Sequence, residues 1–235
     1  VMLARALPGV IVAVGPRRDV VGRAVEERFG RCVHVLDDGF QHLRLARDLD
    51  VVCLDVHDLD DLPMPAGRLR ERPEALERAD VVLLTRLEAA SEEELGRLES
   101  RLDPTRTFRV ARRSEGWRGV DGREVHSPER VFLFAGIARP QRFERDATAT
   151  GASVVGRAFF GDPHRYRPEE IELLDRDARA AGATALGTTA KDAVRLGGAA
   201  PDAPDLPLLV LEVAPAIEDE GRFRQRLLEA VGSAA

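Results

Sequence analysis

A short apolar run that stops at two acids and a glycine, Val33-His34-Val35-Leu36-Asp37-Asp38-Gly39, constrains this chain more than any other stretch. Apolar along its length and polar where it ends, Val33 to Leu36 reads as a buried parallel strand. In open α/β sheets the carboxyl ends of the strands line the ligand crevice. Two carboxylates there can hold a hard cation such as Mg²⁺, which takes oxygen ligands. Gly39 permits a sharp turn, and Gln41 and His42 add two polar side chains near the same mouth. A strand ending in Asp is also the form of a Walker B element, whose acid positions Mg²⁺ against nucleotide phosphates. The same Asp-Asp-Gly triplet makes an ordinary solvated turn as well, so by itself it leaves both readings open.

The strand-then-helix pattern extends along the chain. Val10–Val14 reads as a buried strand, and Asp19–Phe29 as a helix with Val20, Val21, Ala24, Val25 and Phe29 at helical spacing and Gly30 at its C-cap. Val51–Asp55 is a second apolar run ending in an acid, Pro73–Arg78 a short helix and Ala79–Thr85 the next strand. Ser91 with Glu94 at the capping-box position starts a helix running to about Leu102. Such alternation gives a parallel sheet wrapped by helices. Thr107 to Val125, rich in Gly and Arg, breaks it and reads as a β-ribbon. Strands are expected again at Arg130–Ala135, Ser153–Gly156, Ala185–Thr189 and Leu206–Val213. Helices are expected at Pro140–Thr150, Pro168–Ala181, Lys191–Leu196 and Asp219–Val231, and Ala199–Pro207 reads as a loop. The expected organisation is α/β throughout: a first domain over 1–106, a ribbon linker over 107–126 and a second, smaller α/β domain over 127–235.

With 44% hydrophobic and 32% charged residues the chain can bury a core. Its net charge of −6 argues against broad nucleic-acid binding. Cys32 and Cys53 lie in apolar runs and read as buried small hydrophobes in a reduced, cytosolic setting. No apolar run approaches the roughly 18 residues of a transmembrane helix, and no signal peptide is visible. Val1–Leu7 reads as the middle of a helix with no cap before it. Lys191 is the only lysine, and no Gly-x-x-x-x-Gly-Lys-Ser/Thr phosphate loop occurs.

Four segments in order, Asp37–Leu49, Pro65-Ala66-Gly67-Arg68-Leu69-Arg70-Glu71, Gly136-Ile137-Ala138-Arg139-Pro140-Gln141-Arg142-Phe143 and Thr188-Thr189-Ala190-Lys191-Asp192-Ala193, resemble the motifs of the tetraacyldisaccharide 4'-kinases, the lipid A 4'-kinases of Gram-negative bacteria. The resemblance implies a partial sheet of P-loop kinase type, a two-stranded linker and a second domain. It also implies an N-terminally truncated chain without its Walker A loop, inactive alone. The implied reaction moves the γ-phosphate of ATP, with Mg²⁺, to the 4'-hydroxyl of a tetraacylated glucosamine disaccharide. That acceptor is a lipid A precursor of lipopolysaccharide biosynthesis, met by a peripheral protein at the cytoplasmic face of the inner membrane.

On this reading Asp37 and Asp38 hold the metal. Asp38, Arg70 and His164 serve catalysis, Arg70 because a guanidinium grips phosphate bidentately. Gln41, His42 and Glu71 contact the nucleotide. One departure stands out: Asp162-Pro163-His164-Arg165-Tyr166 resembles the family's Asp-His-His-x-Tyr/Phe, with proline at the first histidine. Proline has no proton to move, so either His164 serves from one position over or the chemistry is impaired. Ala190 likewise replaces a glutamate, and Thr189 is expected to cap the helix that follows. A rival from another class is a metal-dependent hydrolase or a non-catalytic α/β binding module built on Asp37, Asp38, His42, Asp162 and His164.

Overall fold

The computed structural model describes residues 3–4, 7–196 and 205–233. In chain order its elements are α1 (Arg18–Phe29), β1 (Val51–Asp55), β2 (Val81–Thr85), α2 (Glu92–Glu99), β3 (Thr107–Gly119), β4 (Glu124–Val125), β5 (Arg130–Ala135), α3 (Pro140–Ala149), β6 (Ser153–Phe159), α4 (Pro168–Ala180), β7 (Ala185–Thr189), α5 (Ala190–Leu196), β8 (Leu208–Ile217) and α6 (Glu220–Ser233). Most of the strands pair in parallel and the fold is mixed α/β. No described helix is long and apolar enough to cross a membrane. The chain divides into two compact units, one of Ala13–Arg112 with Pro215–Ala235, the other of Val1–Val12 with Arg113–Ala214.

In the first unit β1, β2 and the start of β3 run parallel, with Val51 opposite Val81 and Val82 opposite Thr107. Leu54, Val82, Leu84, Leu95 and Leu98 form its core. Helix α2 begins as its sequence dictates: Ser91 Oγ accepts the Glu94 amide, and the Glu94 carboxylate accepts the Ser91 amide. This satisfies two of the amides that a helix start leaves without partners. The closing helix α6, which chain order assigns to the second domain, packs here. Phe223 meets Phe108 edge-on at 5.6 Å, and Arg222 lies 4.1 Å over the Phe108 ring while donating to the carbonyls of Pro104, Thr105 and Thr107.

Two expected strands are not strands. Val10–Val14 and Val33–Leu36 have no ladder partner among the described residues. Val14 is 87% and Val35 92% exposed. A strand is held by its neighbours' backbone groups and by burial of its faces, and periodicity supplies neither. Both cysteines are free and exposed rather than buried: Cys32 belongs to the unpaired run, and Cys53 lies on β1, which pairs on one side only among the described residues. Of Val1–Leu7, residues 3 and 4 are helical and residues 1, 2, 5 and 6 lie outside the described residues. So does most of the expected Ala199–Pro207 loop.

In the second unit the parallel order is β8-β7-β5-β6. Strand β5 explains the layering. Val131, Leu133 and Ala135 point into one apolar cluster with Phe143 of α3. Phe132 and Phe134 point into another with Ile171 and Leu174 of α4. Successive side chains leave a strand on opposite faces, so a run apolar at every position is covered by helices on both. Strand β3 pairs antiparallel with β4 at Trp117–Val125 and Arg118–Glu124, whereas Thr107–Val110 of the same strand belongs to the ladder with β2. Because β6 lies on one side of β5 and β7 on the other, the order reverses between β5 and β7, where an open α/β sheet has its ligand crevice.

Candidate functional site

In the first unit the structure joins two segments that the sequence keeps 32 residues apart. Arg70 Nη1 donates to both carboxylate oxygens of Asp38, at 2.6 and 2.7 Å. This Arg70 contact holds the Asp38 carboxyl below the usual carboxylate range against the opposing effect of desolvation, with the nearby His42 and Arg18 adding less. Asp38 has φ 57, in the left-handed region where Asp is one of the few side chains to be tolerated. The turn after Leu36 is therefore made by Asp38, while Gly39 is buried and open to close approach: a Cβ there would lie 2.7 Å from that of Leu36.

The remaining candidates of this unit form a second small network. Gln41 Nε2 donates to Glu71 Oε1 at 3.1 Å, and Arg78 Nη2 donates to Glu71 Oε2 at 2.8 Å. Arg78 also lies 4.7 Å over the Phe40 ring. Glu71 is lowered, first by Arg78, then by Gln41 against desolvation. Asp37 and His42 are exposed; the His42 amide donates to Gly39 O at 3.0 Å and its carbonyl accepts from Arg47. Asp55, at the end of β1, is instead engaged by Arg86 in an ion pair, the ordinary closure of a polar strand end. The result is a set of carboxylates and guanidinium groups at the surface, with Asp37 open to solvent.

The second unit carries the other two motif segments and His164. Gly136 follows β5, Thr188 and Thr189 end β7, and Asp162 to Tyr166 follow β6, so two of the four resembling stretches and the altered Asp-Pro-His stretch include or adjoin strand ends. The His164 ring is stacked on Phe160 at 4.3 Å with an interplanar angle of 14°, and meets Tyr166 edge-on at 4.7 Å. Its Nε2 is buried and lies 3.3 Å from Glu170 Oε2. Burial pushes the Tyr166 phenol up, with the Asp192 carboxylate adding to the effect. Thr189 caps α5 as expected: its hydroxyl accepts the Asp192 amide and donates to the Asp192 carboxylate at 2.7 Å.

Sequence reasoning named Asp38, Arg70, Gln41 and Glu71, and the fold pairs them in twos. It passed over Arg78, which completes the Glu71 network, and over Asp192 and Arg195, which anchor the second unit's strand ends. Asp192 could have been found: a buried acid three residues after a helix-capping threonine, with arginine three further on, is a local pattern. Arg78 had no such signal.

The chain as a whole is similar to known proteins. The chain is 43% identical over 208 residues to a tetraacyldisaccharide 4'-kinase of Anaeromyxobacter sp. (strain Fw109-5), covering 84% of this chain and 56% of that protein. It is 38% identical to the tetraacyldisaccharide 4'-kinase of Desulfotalea psychrophila, covering 86% and 61%. It thus spans less than two thirds of either relative's length. Among solved structures it resembles LpxK from Aquifex aeolicus, crystallised in complex with ATP, with a TM-score of 0.74 and 26% identity over 97% of this chain and 67% of that one. Residues 1–232 match the family model described as Tetraacyldisaccharide-1-P 4'-kinase, and the chain belongs to that family.

Proposed function

We propose that this chain contributes to transfer of the γ-phosphate of ATP to the 4'-hydroxyl of a tetraacylated glucosamine disaccharide, a lipid A precursor, at the cytoplasmic face of the inner membrane. The observation that carries the reading is the Asp38–Arg70 pair, which ties the acidic motif to the Pro-Ala-Gly-x-Leu-Arg-Glu motif in one charged surface. Phosphoryl transfer asks little covalent chemistry of a protein; it asks for positioning and for charge opposite the phosphates. Asp37 and Asp38 offer the oxygen donors that Mg²⁺ takes, and that ion is held by one or two carboxylates with waters and phosphate completing its shell. Bound there, Mg²⁺ would neutralise charge on the phosphates. Asp37 is the open ligand, and Asp38 shares its oxygens with Arg70, whose remaining N–H groups can face a phosphate. Glu71, fixed by Arg78, orients Gln41 toward the same surface, and His42 adds a polar group beside it. Within the second unit, His164 is a group for holding or moving a proton.

The rival reading, a self-contained metal centre, gains no support: among the described residues no group of three or more His, Cys, Asp or Glu side chains is placed to hold an ion. The kinase reading instead requires a phosphate cradle, and these 235 residues contain no Gly-x-x-x-x-Gly-Lys-Ser/Thr segment. Calorimetry with MgATP and a radiolabel transfer assay test this directly. The chain alone is expected to bind nucleotide weakly and transfer nothing, and to gain both when joined to the phosphate-loop segment of a relative. Equal MgATP affinity with and without that segment would overturn the reading.

A further inference from the structure

We infer that Arg195, anchored by the buried Asp192, is a positioning residue that sets the loop after β6 and with it the His164 ring; the catalytic use of that ring rests on the function proposed above. One guanidinium joins three segments. Arg195 Nη1 donates to Gly136 O at the end of β5 at 2.7 Å and lies 3.2 Å from Asp192 Oδ1, while Nη2 lies 3.3 Å from Asp162 Oδ1. These three points surround the place where the strand order reverses.

Asp192 has no exposed side-chain surface. A buried carboxylate persists only when it is paired and its remaining lone pairs are hydrogen bonded. Asp192 meets both conditions, with Arg195 on one oxygen and the Thr189 hydroxyl on the other. Its position is therefore fixed by desolvation, and it fixes Arg195 in turn. The guanidinium then reaches across to Asp162, two residues before His164.

Gly136 gives an independent sign that the loop is held against β5. A Cβ at that position would fall 2.5 Å from His164 Cβ, closer than real Cβ atoms come. The strand end and the loop are thus in contact at a glycine on one side and through Arg195 on the other. Between them they leave the His164 ring one seat, flat against Phe160. A purely structural Arg195 would stabilise α5 and the strand ends without governing that seat.

Two variants reach the loop by different chemistry, Arg195→Ala by removing the tether and Gly136→Ala by crowding it. The readout is the His164 ring resonance in ¹H–¹³C spectra of this chain, displaced by the aromatic ring currents of Phe160 and Tyr166. Both variants are expected to move it toward the position of an unstacked histidine, with Arg195→Lys and Asp162→Asn moving it part of the way and remaining folded by circular dichroism. An unshifted His164 resonance in folded Arg195→Lys and Asp162→Asn would overturn the inference, even if the harsher variants fail to fold. In the transfer-competent protein the same variants should lower kcat on the order of 10²-fold with KM for MgATP unchanged, as expected for a misplaced group of about 1 Å. A moved ring with unchanged kcat would leave the positioning intact and overturn the use of His164 in transfer.

Discussion

The two units place acids near strand ends or after apolar runs in opposite surroundings. In the first, the Asp38 side chain is 61% exposed and meets Arg70 at the surface, on irregular chain that no ladder among the described residues holds. In the second, the Asp192 side chain of α5 is fully buried and meets Arg195 and a threonine hydroxyl. The two pairs look alike as Asp–Arg contacts of about 3 Å, yet they do different things. A surface pair contributes about 0–1 kcal/mol, because water screens it and ordering two long side chains costs entropy. Removing one partner of a buried pair costs about 3–5 kcal/mol, because the other charge is left without compensation. Charge in the first unit is therefore available to a ligand, and charge in the second is committed to shape.

The strongest test of that contrast is Asp192→Ala. It leaves Arg195 with only Gly136 O and Asp162, and the Thr189 hydroxyl without its acceptor, and is expected to lower the unfolding free energy by about 1–3 kcal/mol in a urea titration, with the slope unchanged. A loss below about 1 kcal/mol would place Asp192 with the surface pairs and end the comparison.

Asp37→Ala and Asp38→Ala should behave in the reverse way. In a transfer-competent protein each is expected to reduce turnover by about 10²–10³ while leaving stability nearly unchanged, as for other surface substitutions. Asp→Asn at either position should fail similarly, since it keeps shape and loses charge. Full turnover in both alanine variants would remove the metal-holding role; a large loss of stability would show that these acids hold the fold after all.

The smallest effect is a titration. Arg70 lowers Asp38, so the pair's contribution is fully present above the unfolded aspartate value of about 3.9 and is lost as pH falls through the lower folded value. The Asp38 carboxyl carbon followed by NMR should therefore titrate below about 3.9 in the wild type and return to the ordinary range in Arg70→Ala. An unchanged midpoint would mean that the pair does not persist in solution.

Much of this was legible along the chain. Helix α2 follows from Ser91 and Glu94, whose reciprocal bonds lie within one turn. The end of α1 follows from Gly30, whose φ of 82 suits glycine and whose amide returns to Glu26 O. Strand β5 and the helices on both sides of it follow from six residues apolar after the first. The Asp37–His42 and Arg70–Glu71 stretches stood out as candidates by their resemblance to the family's motifs. Each of these needs only neighbours a few positions away.

Tertiary structure decided what those rules cannot reach. Val33–Leu36 and Val51–Leu54 are both short apolar runs ending in acids, yet among the described residues only the second has a partner strand, Val81–Thr85, to accept its backbone hydrogen bonds. Asp38 finds Arg70 across 32 positions, Glu71 meets both Gln41 and Arg78, and Arg195 reaches back 59 positions to Gly136. A capping bond closes within a turn and its entropy is small, whereas these contacts form only after long loops are closed by the burial of other residues. Local chemistry thus determined which residues could act, and the burial of the two cores decided which of them would meet.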